Sequence, residues 1–264
     1  MSREVDVLLF PLPSFVKVYG PLGVSSLTLS GVAGTLAGRF LTSRVHRRAA
    51  SAFRETLDLV LGPLLLGLLA GARLFNQFAV GDLVWYNPFS WVRVTGYSLS
   101  FTGGLVGAVV AVLWFVGRRR EGSPLAILDA LAPGAALAVA IGWLGVPVLG
   151  RITHLPWALP VGPGVGIQPV QLYGFLGFAA IAAALSWQSS RMDYVGQNFI
   201  SFVLLMAAFR FLLGFTEQTP AVVGPWSLTQ LADAGTVLMG LGLTAWVRRP
   251  ARLVRGTPEE GGAG

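Results

Sequence analysis

Apolar residues in this chain run in long blocks broken by short polar segments. A hydrocarbon core takes roughly 17–25 mostly apolar residues to cross as a helix. Blocks of that kind lie at 20–41, 58–80, 99–116, 125–150, 170–187, 199–215 and 226–247. The interruptions fall at 42–55, 81–98, 117–124, 151–169, 188–198 and 216–225. This pattern predicts an all-α fold, a polytopic transmembrane helical bundle of about seven spans. It forms one transmembrane domain over 1–250, followed by a cytoplasmic tail at 251–264. The tail is expected to be disordered, since its last residues are mostly Gly, Pro, Ala and Glu. No heptad, low-complexity tract or internal repeat interrupts the blocks.

Charge placement orients the bundle, because Arg and Lys concentrate in short cytoplasmic loops. The first connection carries Arg44, Arg47, Arg48 and Arg54, and the third carries Arg118, Arg119 and Arg120. The fifth adds Arg191, and the tail side adds Arg248, Arg249, Arg252 and Arg255. The second, fourth and sixth connections hold only Arg93 and Arg151. The N-terminus is therefore expected outside and the C-terminus in the cytoplasm. The segment 1–13 has acidic residues, prolines and too short an apolar run for a cleavable signal, so the first span serves as its own targeting signal.

Composition agrees with lipid as the surrounding solvent. Of 264 residues, 54% are apolar and only 12% charged, against about 25% charged in an average soluble domain. Mean hydropathy is +0.67. The 34 glycines suit membrane helices, whose small residues let backbones approach. A net charge of +7 could suggest nucleic acid. The cations, however, form juxtamembrane clusters, which topology and anionic lipid explain, so no nucleic-acid partner is expected. Absence of cysteine removes disulfides, thiolate metal sites and any cysteine nucleophile of the protein's own. No metal or other cofactor is expected.

An ionisable group inside a bilayer is costly unless paired or hydrated, and so marks a candidate site. Arg210 stands between Phe209 and Phe211 inside the sixth block. Its planar fork of donors suits a phosphate or a carboxylate. It captures a lipid phosphate or forms a structural pair with Asp129, Asp233 or Glu217. Glu217 is also a candidate base. Arg73, within Gly71-Ala72-Arg73, is a second buried guanidinium, either part of a phosphate clamp or an inter-helix salt bridge. Gly103-Gly104 opens the third block, where free N–H groups favour an anion and close packing is the alternative. His154 follows the fourth block near Arg151 and Trp157 and is a candidate base or an interfacial anchor. His46 reads as one more cation of the basic loop. Asp129 is expected to cap a helix or serve as polar glue, and Gln171 and Tyr173 offer donors at the outer interface.

Taken in order, these segments resemble the prolipoprotein diacylglyceryl transferase family. The resemblance runs from about Gly20 to Leu243. It rests on Gly20-Pro21, Gly71-Ala72-Arg73, Ser100-Phe101-Thr102-Gly103-Gly104-Leu105-Val106-Gly107, and Asp129 with Ala132-Pro133. It continues through Gly150-Arg151, Pro169-Val170-Gln171-Leu172-Tyr173, Phe209-Arg210 and Ser227-Leu228-Thr229-Gln230. It implies a seven-span enzyme of the bacterial cytoplasmic (inner) membrane. Such an enzyme moves diacylglycerol from phosphatidylglycerol to the lipobox cysteine of a prolipoprotein signal peptide. On that basis Arg210 is the candidate catalytic cation; His154 and Glu217, which no family motif supplies, are the candidate catalytic residues that would compensate for the lost base. Arg73, Gly103, Gly104, Arg151, Gln171 and Tyr173 are the candidate lipid-binding set.

The chain also departs from the family pattern. Thr102 stands for the histidine of Ser-Phe-His-Gly-Gly, while Trp143 and Val146 stand for the arginine and asparagine of Gly-Arg-Leu-Gly-Asn. Ser26-Leu27-Thr28 replaces a Trp-Tyr-Gly, and the Asn-x-Glu stretch is shortened away at Pro147-Val148-Leu149. Gln168 stands for a histidine, and Gly174 and Gly214 for glutamates. Two readings follow: a transferase with a rebuilt site, or a catalytically degenerate homologue that binds phospholipid or a membrane partner. The retained lipid-site residues narrowly favour the transferase. A solute transporter is a poor third, since paired broken helices are lacking.

Overall fold

The computed structural model describes residues 15–19, 22–46, 51–80, 100–119, 122–146, 150–162, 165–219 and 221–254. Gly20-Pro21, Arg47, Arg48, Arg93, Arg120, Arg255 and Pro147-Val148-Leu149 lie outside them. Seven helices are present among these residues: α1 (Ser26–Val45), α2 (Ser51–Val80), α3 (Phe101–Arg119), α4 (Pro124–Trp143), α5 (Val170–Gln188), α6 (Gln197–Leu213) and α7 (Leu228–Val254). Each falls on one of the seven apolar blocks. Four contain a stretch long and apolar enough to cross a membrane, namely α2, α3, α4 and α5, and α6 is apolar but shorter. The fold is thus mainly helical and suited to a multi-pass membrane protein.

Several boundaries differ from expectation, among them the start of α2 at Ser51 and the end of α4 at Trp143. The first helix begins at Ser26 because Phe15–Tyr19 (β1) and Leu22–Ser25 (β2) form an antiparallel hairpin, with Val16 opposite Val24. A second sheet fills the α4–α5 connection, with Ile152–Thr153 (β3), Leu159–Gly162 (β4) and Val165–Ile167 (β5) in the order β3-β5-β4. The last helix continues to Val254, into the segment expected as a tail. Residues 255–264 lie outside the described set.

Helix α4 is the centre of the bundle. Over half of its spanning stretch is buried (56%), against 17% for α2 and 22% for α3. It packs on α1, α5, α6 and α3, while α2 pairs with α3 and α7 with α6. Small residues set the helix spacing. Gly34 and Gly38 of α1 meet Ala138 and Gly134 of α4, and a Cβ on Gly34 would lie 2.6 Å from the Ala138 carbonyl oxygen. Without water inside the bilayer, such close backbone packing supplies the dispersion energy that holds helices together. Apolar side chains fill the remainder, including Phe178, Met206 and Ala207 between α4, α5 and α6.

Asp129 of α4 fixes the start of α6. One carboxylate oxygen accepts the N–H of Gly196 at 2.5 Å, and the other accepts that of Phe199 at 2.8 Å. These are amides that a helix start leaves without intrahelical partners. Gly196 supports the turn with φ +96°, a left-handed conformation that glycine enters without strain. Asn198, fully buried, donates to the Asp129 carbonyl and to Ser189 Oγ. His46, near Asp129, is no ordinary loop cation, because burial lowers its imidazole pKa below the usual value. Asp129→Ala would strand two buried amides and should destabilise the fold by about 2 kcal/mol or more. Thermal unfolding in detergent would then shift by roughly 4–8 °C.

Candidate functional site

Arg210 lies in the last turn of α6, where the apolar run leaves its guanidinium little contact with solvent. Its side chain is 14% exposed. The Nε–H faces both carboxylate oxygens of Asp233 on α7, at 3.3 and 3.4 Å. Of the three carboxylates open from the sequence, Asp233 is thus the one that takes Arg210. The guanidinium carbon lies 4.4 Å from the centroid of the Phe101 ring at the start of α3. That stacking is worth up to about 2 kcal/mol where water is excluded. Phe101 packs on Phe178 of α5, and Phe178 meets Phe209 edge-on with ring centroids 5.5 Å apart. The two Nη nitrogens of Arg210 make no hydrogen bond among the described residues. A guanidinium has five N–H donors in a fixed plane, so four of them have no acceptor among the described residues.

Glu217 follows α6 and belongs to the same cluster. Its backbone forms an antiparallel bridge with Gly150. Its carbonyl accepts Arg151 Nε–H at 3.0 Å, and the Arg151 amide donates to the Thr216 carbonyl at 2.8 Å. Burial raises the Glu217 carboxyl above the ordinary range; Arg210 opposes that shift and Asp233 reinforces it. Arg210, Asp233 and Glu217 therefore form one charged group where α6 ends, with Arg151 bonded to the Glu217 backbone beside it.

The remaining candidates occupy distinct places. Gln171 is buried in the first turn of α5, and Tyr173 Oη accepts the Trp157 Nε1–H at 2.6 Å. Gly103 and Gly104 face α2, next to Phe75, Gly71 and Ala72. The Gly103 amide donates to Ser100 Oγ and the Gly104 amide to the Ser100 carbonyl, so Ser100 caps this helix start. Arg73 follows Ala72, whose carbonyl accepts the Ser100 amide. His154 lies exposed just past β3. Among the described residues no three His, Asp or Glu side chains converge as a metal site would require.

Two departures noted in the sequence meet in space. The Trp143 ring covers Gly174, and a Cβ there would lie 2.6 Å from the Trp143 Cγ. A large apolar ring thus fills the volume that a side chain at 174 would need. Sequence reasoning noted each replacement separately and had no signal that they were neighbours.

Comparison with known proteins agrees with this frame. A family model described as prolipoprotein diacylglyceryl transferase matches residues 13–246. A phosphatidylglycerol–prolipoprotein diacylglyceryl transferase of Geobacter sulfurreducens is 29% identical over 237 residues, covering 83% of this chain and 88% of the relative. One from Vibrio cholerae is 27% identical over 256 residues, 92% of each chain. One from Bordetella parapertussis is 34% identical over 199 residues, 70% of this chain and 75% of its own. The chain belongs to the prolipoprotein diacylglyceryl transferase family.

Proposed function

We propose that the chain transfers diacylglycerol from phosphatidylglycerol to the cysteine of a prolipoprotein signal peptide. It acts in a bacterial cytoplasmic membrane that its seven helices span, N-terminus outside and C-terminus inside. The carrying observation is Arg210, a guanidinium held among apolar side chains with its Nη fork unused among the described residues. Such a fork matches two oxygens of a phosphodiester. In the reaction the substrate thiol sulfur attacks the diacylglyceryl carbon that bears the phosphate ester. A carbon–sulfur bond forms, the carbon–oxygen bond breaks, and glycerol phosphate leaves with one more negative charge. Positioned cationic donors stabilise that developing charge. Arg151, Arg73, Gln171 and Tyr173 line the lipid site in this reading, while Gly103 and Gly104 pack α3 against α2 with their amides held by Ser100.

The thiol proton needs an acceptor, since a free cysteine has a pKa near 8.5. Glu217 is assigned that role, with His154 as the alternative base. Because burial raises the Glu217 pKa, the rate should climb with pH through a value above the ordinary carboxylate range. Glu217→Gln should remove that limb and lower kcat by about 10²–10⁴-fold. Stability carries the opposite sign. The contribution of this group is complete below the ordinary carboxylate pKa and is lost as pH rises through the raised one. Glu217→Gln should flatten that dependence as well.

A second reading, a homologue that binds phospholipid without transfer, is favoured by the Trp143 ring over Gly174. One assay separates the two. Purified protein is incubated with phosphatidylglycerol and a lipobox peptide, and the cysteine is examined by mass spectrometry for an added diacylglyceryl group. Product supports the transferase. Phosphatidylglycerol binding with no product at any pH decides for the binding protein.

A further inference from the structure

The way Asp233 holds Arg210 is unusual for an ion pair. A carboxylate facing a guanidinium commonly makes two parallel bonds, which occupy two nitrogens of the fork. Here both oxygens share the single Nε–H, at 3.3 and 3.4 Å, and neither Nη is used. Asp233 is itself buried, with 4% of its surface exposed. It sits early in α7, whose first turn is locked by reciprocal bonds. The Ser227 amide donates to Gln230 Oε1 at 3.0 Å, and the Gln230 amide to Ser227 Oγ at 3.3 Å. The Gln230 Nε2 then donates to the carbonyl of Phe211, the residue after Arg210, at 3.3 Å. The start of α7 is thereby tied to α6 at the turn that carries the guanidinium. Phe101 covers one face of the same group. One edge and one face are fixed, and the opposite edge is left over.

We propose that Asp233 is a positioning residue: it anchors the Nε edge of Arg210 and thereby aims the Nη fork at the phosphate of the lipid. This rests on the phospholipid reading of Arg210 given above. A strut that merely joined α6 to α7 would gain most by using both guanidinium nitrogens on one side. Positioning explains why only the inner one is engaged. The carboxylate also offsets part of the Arg210 charge, so the fork binds a phosphate by geometry more than by net attraction.

Steady-state kinetics with phosphatidylglycerol micelles and a lipobox peptide test this through Asp233→Asn and Asp233→Glu. Asp233→Asn keeps the shape, loses the charge and replaces one of the two acceptor oxygens by a donor that repels the guanidinium, so the anchor is weakened. Its kcat per folded molecule should fall about 10–100-fold, the scale of a small misplacement of a reacting group. The KM for phosphatidylglycerol should stay level or drop, because the nearby negative charge is gone. Asp233→Glu should recover part of kcat. Unchanged kcat with only a lower melting temperature would overturn the proposal, as would a rise in KM matching that of Arg210→Lys.

A second measurement does not depend on turnover. In arginine-¹⁵N protein, the Arg210 Nε–H signal, assigned by its loss in Arg210→Lys, should exchange slowly in wild type and fast in Asp233→Asn. Added phosphatidylglycerol should shift the Nη signals and leave Nε in place. Equal Nε exchange in both proteins would overturn the proposal. If wild type gives no transfer product yet shows these NMR results, the transferase reading fails and the positioning role stands.

Discussion

Arg210→Lys should lower diacylglyceryl transfer by about 10²–10³-fold, the usual loss when one donor to a developing oxyanion is removed. Lysine keeps the positive charge near Asp233 and so keeps most of the fold. It lacks the planar fork and presents a point charge instead. Arg210→Ala is less clean, because it leaves the Asp233 carboxylate buried with no cation, at a cost of about 3–5 kcal/mol. Loss of activity in that variant mixes chemistry with unfolding. The double variant Arg210→Ala, Asp233→Ala removes both charges and should recover much of that stability, since losing a buried pair together is often nearly neutral. It should not recover transfer. Mass spectrometry of the lipobox cysteine, normalised to folded protein by thermal melts, gives both readouts. Transfer near the wild-type rate in the stable double variant would remove Arg210 from the chemistry.

This pairing also shows where sequence reasoning reached its limit. A lone arginine within an apolar run is conspicuous, because few side chains cost more in hydrocarbon. Its partner is not, since Asp129, Asp233 and Glu217 all lie in or beside apolar blocks. Only packing separates them. Asp129 is committed to the amides of Gly196 and Phe199, while the Glu217 carboxylate feels Arg210 electrostatically but makes no hydrogen bond to it among the described residues. That leaves Asp233, brought to Arg210 by the pairing of α6 with α7. The helices themselves were plain from block length alone. The five strands were not. Segments such as Leu159–Gly162 and Val165–Ile167 are too short for period-two alternation to register. Trp143 and Gly174 were likewise legible as two replacements and illegible as one contact.

A large structural effect without any change of charge is expected on the α2–α3 seam, in a matched pair of variants within one helix. Gly71 of α2 faces the Gly103 carbonyl oxygen, and a Cβ there would lie 2.8 Å from the Gly107 Cα. Both obstacles are backbone, which no rotamer change can move aside. Gly71→Val therefore forces α2 and α3 apart along a face that Gly67, Gly103 and Gly107 also build. Overpacking of this kind typically costs 1–3 kcal/mol, and more where the backbone must shift. At about 3 kcal/mol, the ratio of folded to unfolded protein falls by roughly two orders of magnitude, since each 1.4 kcal/mol is tenfold. Gly62, earlier in α2, has nothing within 4 Å of the same hypothetical atom. Gly62→Val changes hydropathy in the same direction and meets no neighbour, so it should leave yield and melting temperature near wild type. Size-exclusion chromatography and thermal melts of the two purified variants compare them directly. Equal yields and equal melting temperatures would mean that α2 and α3 do not meet through their glycines. The Ser100 bond to the Ala72 carbonyl, which places Phe101 and its stack on Arg210, would then lose its support.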